Sequence, residues 1–210
     1  MSKIQEIATA VENGKTKIVG GLVQEAIAEG LDAREILQKG MIESMDVVGA
    51  KFGRGDIFVP EMLVAAKAMK VGVEVLKPKL AADGGSSLGK VVIGTVVGDL
   101  HDIGKNLVAM MIESAGFEVK DLGVDVPVDK FVEAVTSDPE VKIMAVSALL
   151  TTTMPAMKDT VDALNAVGNR KFKILVGGAP ITQEFADQIK ADSYAPDAAS
   201  AAKTAKALVA

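Results

Sequence analysis

Apolar residues recur at helical spacing in the first part of the chain and in short consecutive runs in the second. Leu37, Met41, Met45, Val48 and Phe52 follow one another at intervals of three or four, and Met62, Ala66, Met69, Val73, Leu76 and Leu80 do the same further on. Such spacing lines one face of an amphipathic helix. Breaks at Asn13-Gly14, Gly30 and Gly53 to Gly55 separate four predicted helices, and their short connections predict an antiparallel bundle. A small, polar, glycine-rich stretch, AADGGSSLG at 81–89, then reads as a flexible linker. Beyond it, KVVIGTVV (90–97) leads to a helix from about Gly104, FEVKDLG to one near Val128, and KIMAVSA to one near Met154. FKILVGG precedes a helix near Thr182, and a short segment around Tyr194 precedes an alanine-rich C-terminus. This alternation predicts a parallel sheet covered by helices on both faces. The expected fold is α/β: a four-helix bundle over 1–82, a linker over 83–89, and a flavodoxin-like (Rossmann-like) five-stranded parallel sheet over 90–210.

Composition narrows the chemistry. The 210 residues are 49% apolar, enough for a sizeable core, and carry a net charge of −5 with no long Lys/Arg cluster, which argues against a nucleic-acid surface. MSKIQEIATAVENGK at the start lacks the apolar core of a signal peptide, and no run approaches the ~20 apolar residues that span a bilayer. A cytoplasmic protein without membrane partners is expected. The absence of cysteine removes disulfides, thiolate zinc sites and a cysteine nucleophile. His101 is the only histidine, so any metal it binds must arrive with most of its other ligands supplied.

Ligands of open parallel sheets bind beyond the carboxyl ends of the strands, which directs attention to the strand-to-helix loops. In VVGDLHDIGKN, Asp99 and His101 stand two apart after an apolar strand. An extended Asp-x-His puts both side chains on one side of the chain. The carboxylate can then take one ring nitrogen while the other faces a metal, an arrangement that fixes the ligand's tautomer. A lone surface or capping histidine is the plainer alternative, which the loop position and acidic neighbour disfavour. A phosphate loop fails on spacing: five residues separate Gly98 from Gly104, and Asn106 stands where Ser or Thr would hold magnesium. A phosphoacceptor domain would want an aspartate where the chain has Ser147.

Gly98-Asp99-Leu100-His101-Asp102-Ile103-Gly104, then Ser147-Ala148-Leu149, then Gly177-Gly178, resembles the Asp-x-His-x-x-Gly, Ser-x-Leu, Gly-Gly signature of cobalamin-binding domains. The helical part joins in: Asp56-Ile57-Phe58-Val59-Pro60-Glu61 and the Met- and Ala-rich helix after it resemble the cap bundle of methionine synthase and of the corrinoid proteins serving methanol, methylamine and methoxyarene methyltransferases. The resemblance implies a cobalamin or related corrinoid, its cobalt alternating between Co(I) and methyl-Co(III), with His101 as lower axial ligand in place of the cofactor's own base. It implies that Asp99 tunes that ligand, a proton gained by the pair weakening the histidine's hold. Thr153, six residues beyond Ser147, would complete a relay that has serine in methionine synthase. Ser147, Leu149 and Thr151 would line a channel for the displaced nucleotide tail, Gly177 and Gly178 would leave it room, and Tyr194 and Ala195 would pass beside it. In the cap, Phe58, Met62, Leu63 and Ala66 would form an apolar lid, whereas Glu61 suits a helix N-terminus. The linker, up to roughly 30 Å long, would let the cap swing aside.

The implied function is a non-autonomous corrinoid methyl carrier. A substrate-specific methyltransferase of methoxyarene, methanol, methylamine or betaine type, with methoxyarene O-demethylation mildly preferred, would load it. A second methyltransferase, to tetrahydrofolate or a thiol coenzyme, would unload it, and a reductive activase would maintain it. Without cysteine the chain cannot activate a thiol on zinc, so donor and acceptor enzymes are expected on other polypeptides. An adenosylcobalamin mutase subunit would not normally carry the helical cap. A B12-dependent regulator or light sensor is disfavoured on the expectation that it would carry a DNA-binding segment ahead of the cap. A nucleotide-binding α/β domain with a helical interaction module is disfavoured by the failed phosphate-loop spacing.

Overall fold

The computed structural model describes residues 2–82 and 87–210, with side chains for 2–80 and 87–210. Residues 83–86 of the expected linker lie outside the described residues. The chain divides into two compact units, Met1–Ser87 with Ser114–Gly116, and Leu88–Glu113 with Phe117–Ala210.

The first unit is helical. α1 (Lys3–Glu12) starts in a capping box, Ser2 and Gln5 each satisfying the other's backbone N–H. α2 (Thr16–Ala28) follows a turn at Gly14, whose φ of +62° and close approach to Val64 both exclude a side chain: a Cβ there would lie 2.4 Å from Val64 Cγ1. The third helix departs from ideal α geometry. α3 (Ala33–Glu35), capped by Asp32, runs into a π-helical stretch, Ile36–Ile42, before α4 (Glu43–Gly53). The repeated four-residue interval Leu37, Met41, Met45 suits this wider turn, and all three side chains are buried. Gly40 lets the stretch approach α1, since a Cβ there would be 3.2 Å from Ile7 Cγ2. α5 (Val59–Ala82) is the longest helix, and Glu61 accepts the Phe58 N–H at 3.1 Å, so its carboxylate caps the first turn. Of the two predicted stripes, Leu37, Met41, Met45 and Val48, and Met62, Ala66, Met69, Leu76 and Leu80 are buried, whereas Phe52 and Val73 are half-buried; Ile7, Val19 and Val23 of α1 and α2 complete the core.

The second unit is a five-stranded parallel sheet in the order β2-β1-β3-β4-β5. The strands are β1 (Lys90–Thr95), β2 (Glu118–Asp121), β3 (Val141–Ser147), β4 (Lys173–Gly177) and β5 (Ser193–Ala195). The connecting helices are α6 (Ile103–Ser114), α7 (Val128–Thr136), α8 (Met154–Asn165) and α9 (Gln183–Gln188), with α10 (Ala198–Val209) last. Val91, Val92 and Ile93 of β1 and Ile143, Met144, Ala145 and Val146 of β3 are buried, as strands covered on both faces require. This is the flavodoxin-like order, whose strand order reverses between β1 and β3 and opens a crevice at their carboxyl ends. The sheet extends one step there: Val96 N–H reaches Ser147 O at 3.0 Å, and Val96 bridges to Val126.

Candidate functional site

Asp99 is the hub of the switch-point loops. Its side chain is fully buried, and four donors converge on it. Oδ1 accepts the His101 N–H at 3.1 Å and faces the ring Nδ1 at 2.7 Å, while Oδ2 accepts the Leu149 N–H at 2.7 Å and faces the Thr153 hydroxyl at 2.8 Å. Burial alone pushes its pKa up, but these four hydrogen bonds, the Leu149 N–H foremost, prevail and hold the carboxyl well below the usual aspartate range. Asp99 is therefore an anion at neutral pH, an acceptor that takes the Nδ1 side of the ring and leaves the Nε2 side turned away from it. The His101 side chain is half exposed, its carbonyl anchored from below by the hydroxyl of buried Thr95 at 3.0 Å.

The Ser-x-Leu segment meets the histidine loop through its backbone. Leu149 supplies its N–H, and its side chain is exposed; Ser147, half-buried, ends β3. Thr153 is buried at the end of a 3-10 turn, Thr151–Thr153, whose first residue is exposed. Its hydroxyl also lies 2.9 Å from Leu150 O and accepts the Leu150 N–H at 3.3 Å; with one proton it serves Asp99 or Leu150, not both at once. Gly98 takes a φ of +81° before Asp99. Asp102 is exposed and accepts Asn106 Nδ2 at 3.1 Å, pinning the first turn of α6. Leu100 and Ile103 stand open around His101, Ile103 84% exposed, and a Cβ built on Gly104 would meet nothing within 4 Å.

The glycine pair after β4 is packed against protein. A Cβ on Gly178, whose φ is +133°, would come 1.8 Å from Ala148 O, and one on Gly177 would be 3.0 Å from Ala195 O. Close passage of the Ala148 backbone by itself demands glycine at 178, and the Ala195 carbonyl leaves only a tight fit for a side chain at 177. Ala195 is buried, and Tyr194 packs against the core of the sheet. In the helical unit Met62 and Ala66 are buried, so of the expected apolar lid it is Leu63 on α5 and Phe58 just before that helix that stay open to solvent.

Three contributors escape the motif. Thr95 holds His101 O, as above. Asp125 accepts the Gly98 N–H at 2.7 Å and donates its own N–H to Asp99 O at 2.9 Å. Lys105, buried on α6, pairs with Asp121 and reaches Asn106 Oδ1 at 2.7 Å. A lysine next to the histidine loop and an aspartate in DLGVD were visible as letters, but nothing in their spacing said that the first is buried or the second left-handed, φ +51°.

The donor set fits a metal that brings its own equatorial ligands. Among the described residues no group of three or more His, Asp or Glu could hold a free ion, yet His101 offers one oriented, half-exposed nitrogen surrounded by apolar side chains. No helix among the described residues is long and apolar enough to cross a membrane.

The chain is similar to known B12-binding proteins over nearly its whole length. A B12 binding domain family matches residues 89–203, and a second family of the same description matches residues 3–77. Dimethylamine corrinoid protein 1 of Methanosarcina acetivorans is 45% identical over 209 residues, covering 99% of this chain and 97% of the relative. Among solved structures, the methanol:cobalamin methyltransferase complex of Methanosarcina barkeri superposes with a TM-score of 0.86 at 34% identity, covering 99% of this chain and 79% of that one. A cobalamin-binding protein of Desulfitobacterium hafniense DCB-2 gives 0.83 at 32% identity, covering 99% and 98%. With a histidine loop at the switch point and both B12-binding domains matched, the chain belongs to the corrinoid proteins of methylamine and methanol methyltransferase systems.

Proposed function

We propose that this chain is a methyl carrier of a methylamine methyltransferase system, with His101 as the lower ligand of its corrinoid. One observation carries the reading: Asp99, anionic and fully buried, fixes the His101 ring by Nδ1 and leaves Nε2 open at the carboxyl ends of β1 and β3. When bound, the corrinoid supplies a cobalt centre able to accept a methyl group as a cation equivalent and release it. The protein's share is to present and withdraw one nitrogen. The Asp99 carboxylate on Nδ1 fixes the ring's orientation, so that Nε2 is the nitrogen that would hold the cobalt. Leu100, Ile103 and Leu149 supply apolar surface around the ligand, and Gly104 leaves space beside it. Ser147, Gly177, Gly178, Tyr194 and Ala195 would border the nucleotide tail, and in the helical unit Phe58 and Leu63 are the exposed apolar side chains suited to shielding a methyl group from water.

The relatives described above favour amines or methanol over the methoxyarenes and betaines that the sequence left open. We assign dimethylamine first. A substrate-specific methyltransferase loads the carrier, a second one passing the methyl to a thiol coenzyme or tetrahydrofolate unloads it, and a reductive activase rescues it. The test is the Co(II) electron paramagnetic resonance spectrum of protein loaded with cobalamin, with and without nitrogen-15 histidine. A change in the axial nitrogen splitting from triplet to doublet is expected. An unchanged splitting would mean that the cofactor keeps its own base and that His101 is not the ligand.

A further inference from the structure

Asp125 adopts a conformation that L residues avoid. Its φ is +51°, one of three such non-glycine residues among those described, and it sits between Gly123, also left-handed, and the start of α7. That conformation is held by two contacts to the histidine loop. The carboxylate Oδ1 accepts the Gly98 N–H at 2.7 Å, and the Asp125 N–H donates to Asp99 O at 2.9 Å. On either side, Gly123 O accepts the Thr95 N–H and Val126 N–H donates to Thr95 O, both at 3.0 Å, so the segment runs alongside β1 up to the turn that launches Asp99. Gly98 itself is left-handed at φ +81°, a backbone with no preference of its own for this geometry over the extended one. The loop's own turn bond, Asp99 N–H to Val96 O at 3.2 Å, holds one side of this geometry, and Asp125 holds the other.

We infer that Asp125 is a positioning residue for the lower ligand: by clamping Gly98 and Asp99 from outside, it sets the direction in which His101 is presented. The inference rests on His101 being the cobalt ligand. The clamp has two separable parts, an acceptor for Gly98 and a left-handed backbone. Asp125→Gly keeps the conformation and loses the acceptor. Asp125→Asn keeps both, since asparagine tolerates the left-handed region and its carbonyl oxygen can still accept, while losing the charge.

A double-mutant cycle tests it. Affinity for cob(II)alamin is measured for the full chain, for Asp125→Gly and Asp125→Asn, for His101→Ala, and for the two double variants, alongside the spectrum with nitrogen-15 histidine. One hydrogen bond lost on the surface predicts a several-fold, at most about tenfold, loss of affinity in Asp125→Gly. The doublet from His101 should lose intensity in parallel. Asp125→Asn should stay within about twofold of the parent. In the His101→Ala background, Asp125→Gly should change nothing, because a residue acting through the ligand has no effect once the ligand is gone. An equal loss in both backgrounds, an Asp125→Asn as weak as Asp125→Gly, or an unchanged Asp125→Gly would each overturn the inference. If the parent itself shows no histidine splitting, it is the ligand assignment that fails.

Discussion

Two glycines of one motif obey opposite physics at the residue scale. Gly178 is a packing glycine: its φ of +133° is unfavourable for any side chain, and a Cβ would strike the Ala148 carbonyl at 1.8 Å, an atom of the backbone that carries Leu149 to Asp99. Gly104 lies in the first turn of α6, where a Cβ meets open space within 4 Å. Gly178→Ala should therefore destabilise the apoprotein by roughly 3 kcal/mol, through strain and a backbone clash that no rotamer relieves. Gly104→Leu should leave apoprotein stability unchanged or raise it by up to about 1 kcal/mol, since leucine is the better helix former. Its cost falls on the cofactor, with cobalamin affinity dropping at least about tenfold as the side chain enters the space beside His101. Urea denaturation of the apoproteins and a cobalamin titration of each separate the two. Equal denaturation midpoints for Gly178→Ala and the parent would contradict the packing account.

At the scale of elements, Lys105 joins α6 to the end of β2. Its side chain is 1% exposed, and it pairs with Asp121, which is 40% exposed and also accepts the Gly123 N–H at 2.8 Å. Removing either partner leaves a different residue of charge. Asp121→Ala strands an ammonium in the interior with only Asn106 Oδ1, and should cost about 3 kcal/mol of stability. Lys105→Met fills the same space and leaves a carboxylate that water can reach, so about 1 kcal/mol is expected. The reverse order in chemical denaturation would show that the pair does not govern the junction. This asymmetry illustrates what the sequence could and could not disclose. Hydrophobic spacing reported the helices and strands, because burial of one face is a property of each element alone. The histidine loop was legible because Asp-x-His is a local pairing. Lys105 and Asp121 stand sixteen residues apart, Asp125 finds Gly98 across twenty-seven, and Leu149 finds Asp99 across fifty, so their partners were set by the sheet order and not by neighbouring letters. The π stretch hid for another reason: intervals of four at Leu37, Met41 and Met45 fit an α-helix as well as the wider turn.

For the molecule as a whole, charge decides how stability follows pH. The chain is acidic, at −5, and most ion pairs among the described residues have an exposed partner and contribute little, so the acid response is set by the carboxylates that are both shielded and bonded. Asp192 is one of these away from the cofactor loops. It is 16% exposed and accepts Arg170 through both oxygens, at 2.5 and 3.1 Å, and the Ile174 N–H at 2.7 Å, tying β4 to the segment that begins β5. Burial pushes its pKa up, but the Arg170 hydrogen bond, the Ile174 N–H and the charges of Arg170 and Lys173 outweigh burial and lower it. A carboxyl whose folded-state pKa is depressed stabilises the fold fully above its unfolded value, ~3.9, and loses that contribution as pH falls through the folded value below it. Asp192→Asn should thus be less stable than the parent by about 2 kcal/mol at pH ~7, and the gap should persist down to pH ~4 before closing at lower pH. Urea denaturation of both proteins between pH ~2.5 and ~7 checks this. A gap that widens toward acid would reverse the sign of the linkage and show that the buried carboxyl, despite its arginine, is protonated more readily in the folded chain than in the unfolded one.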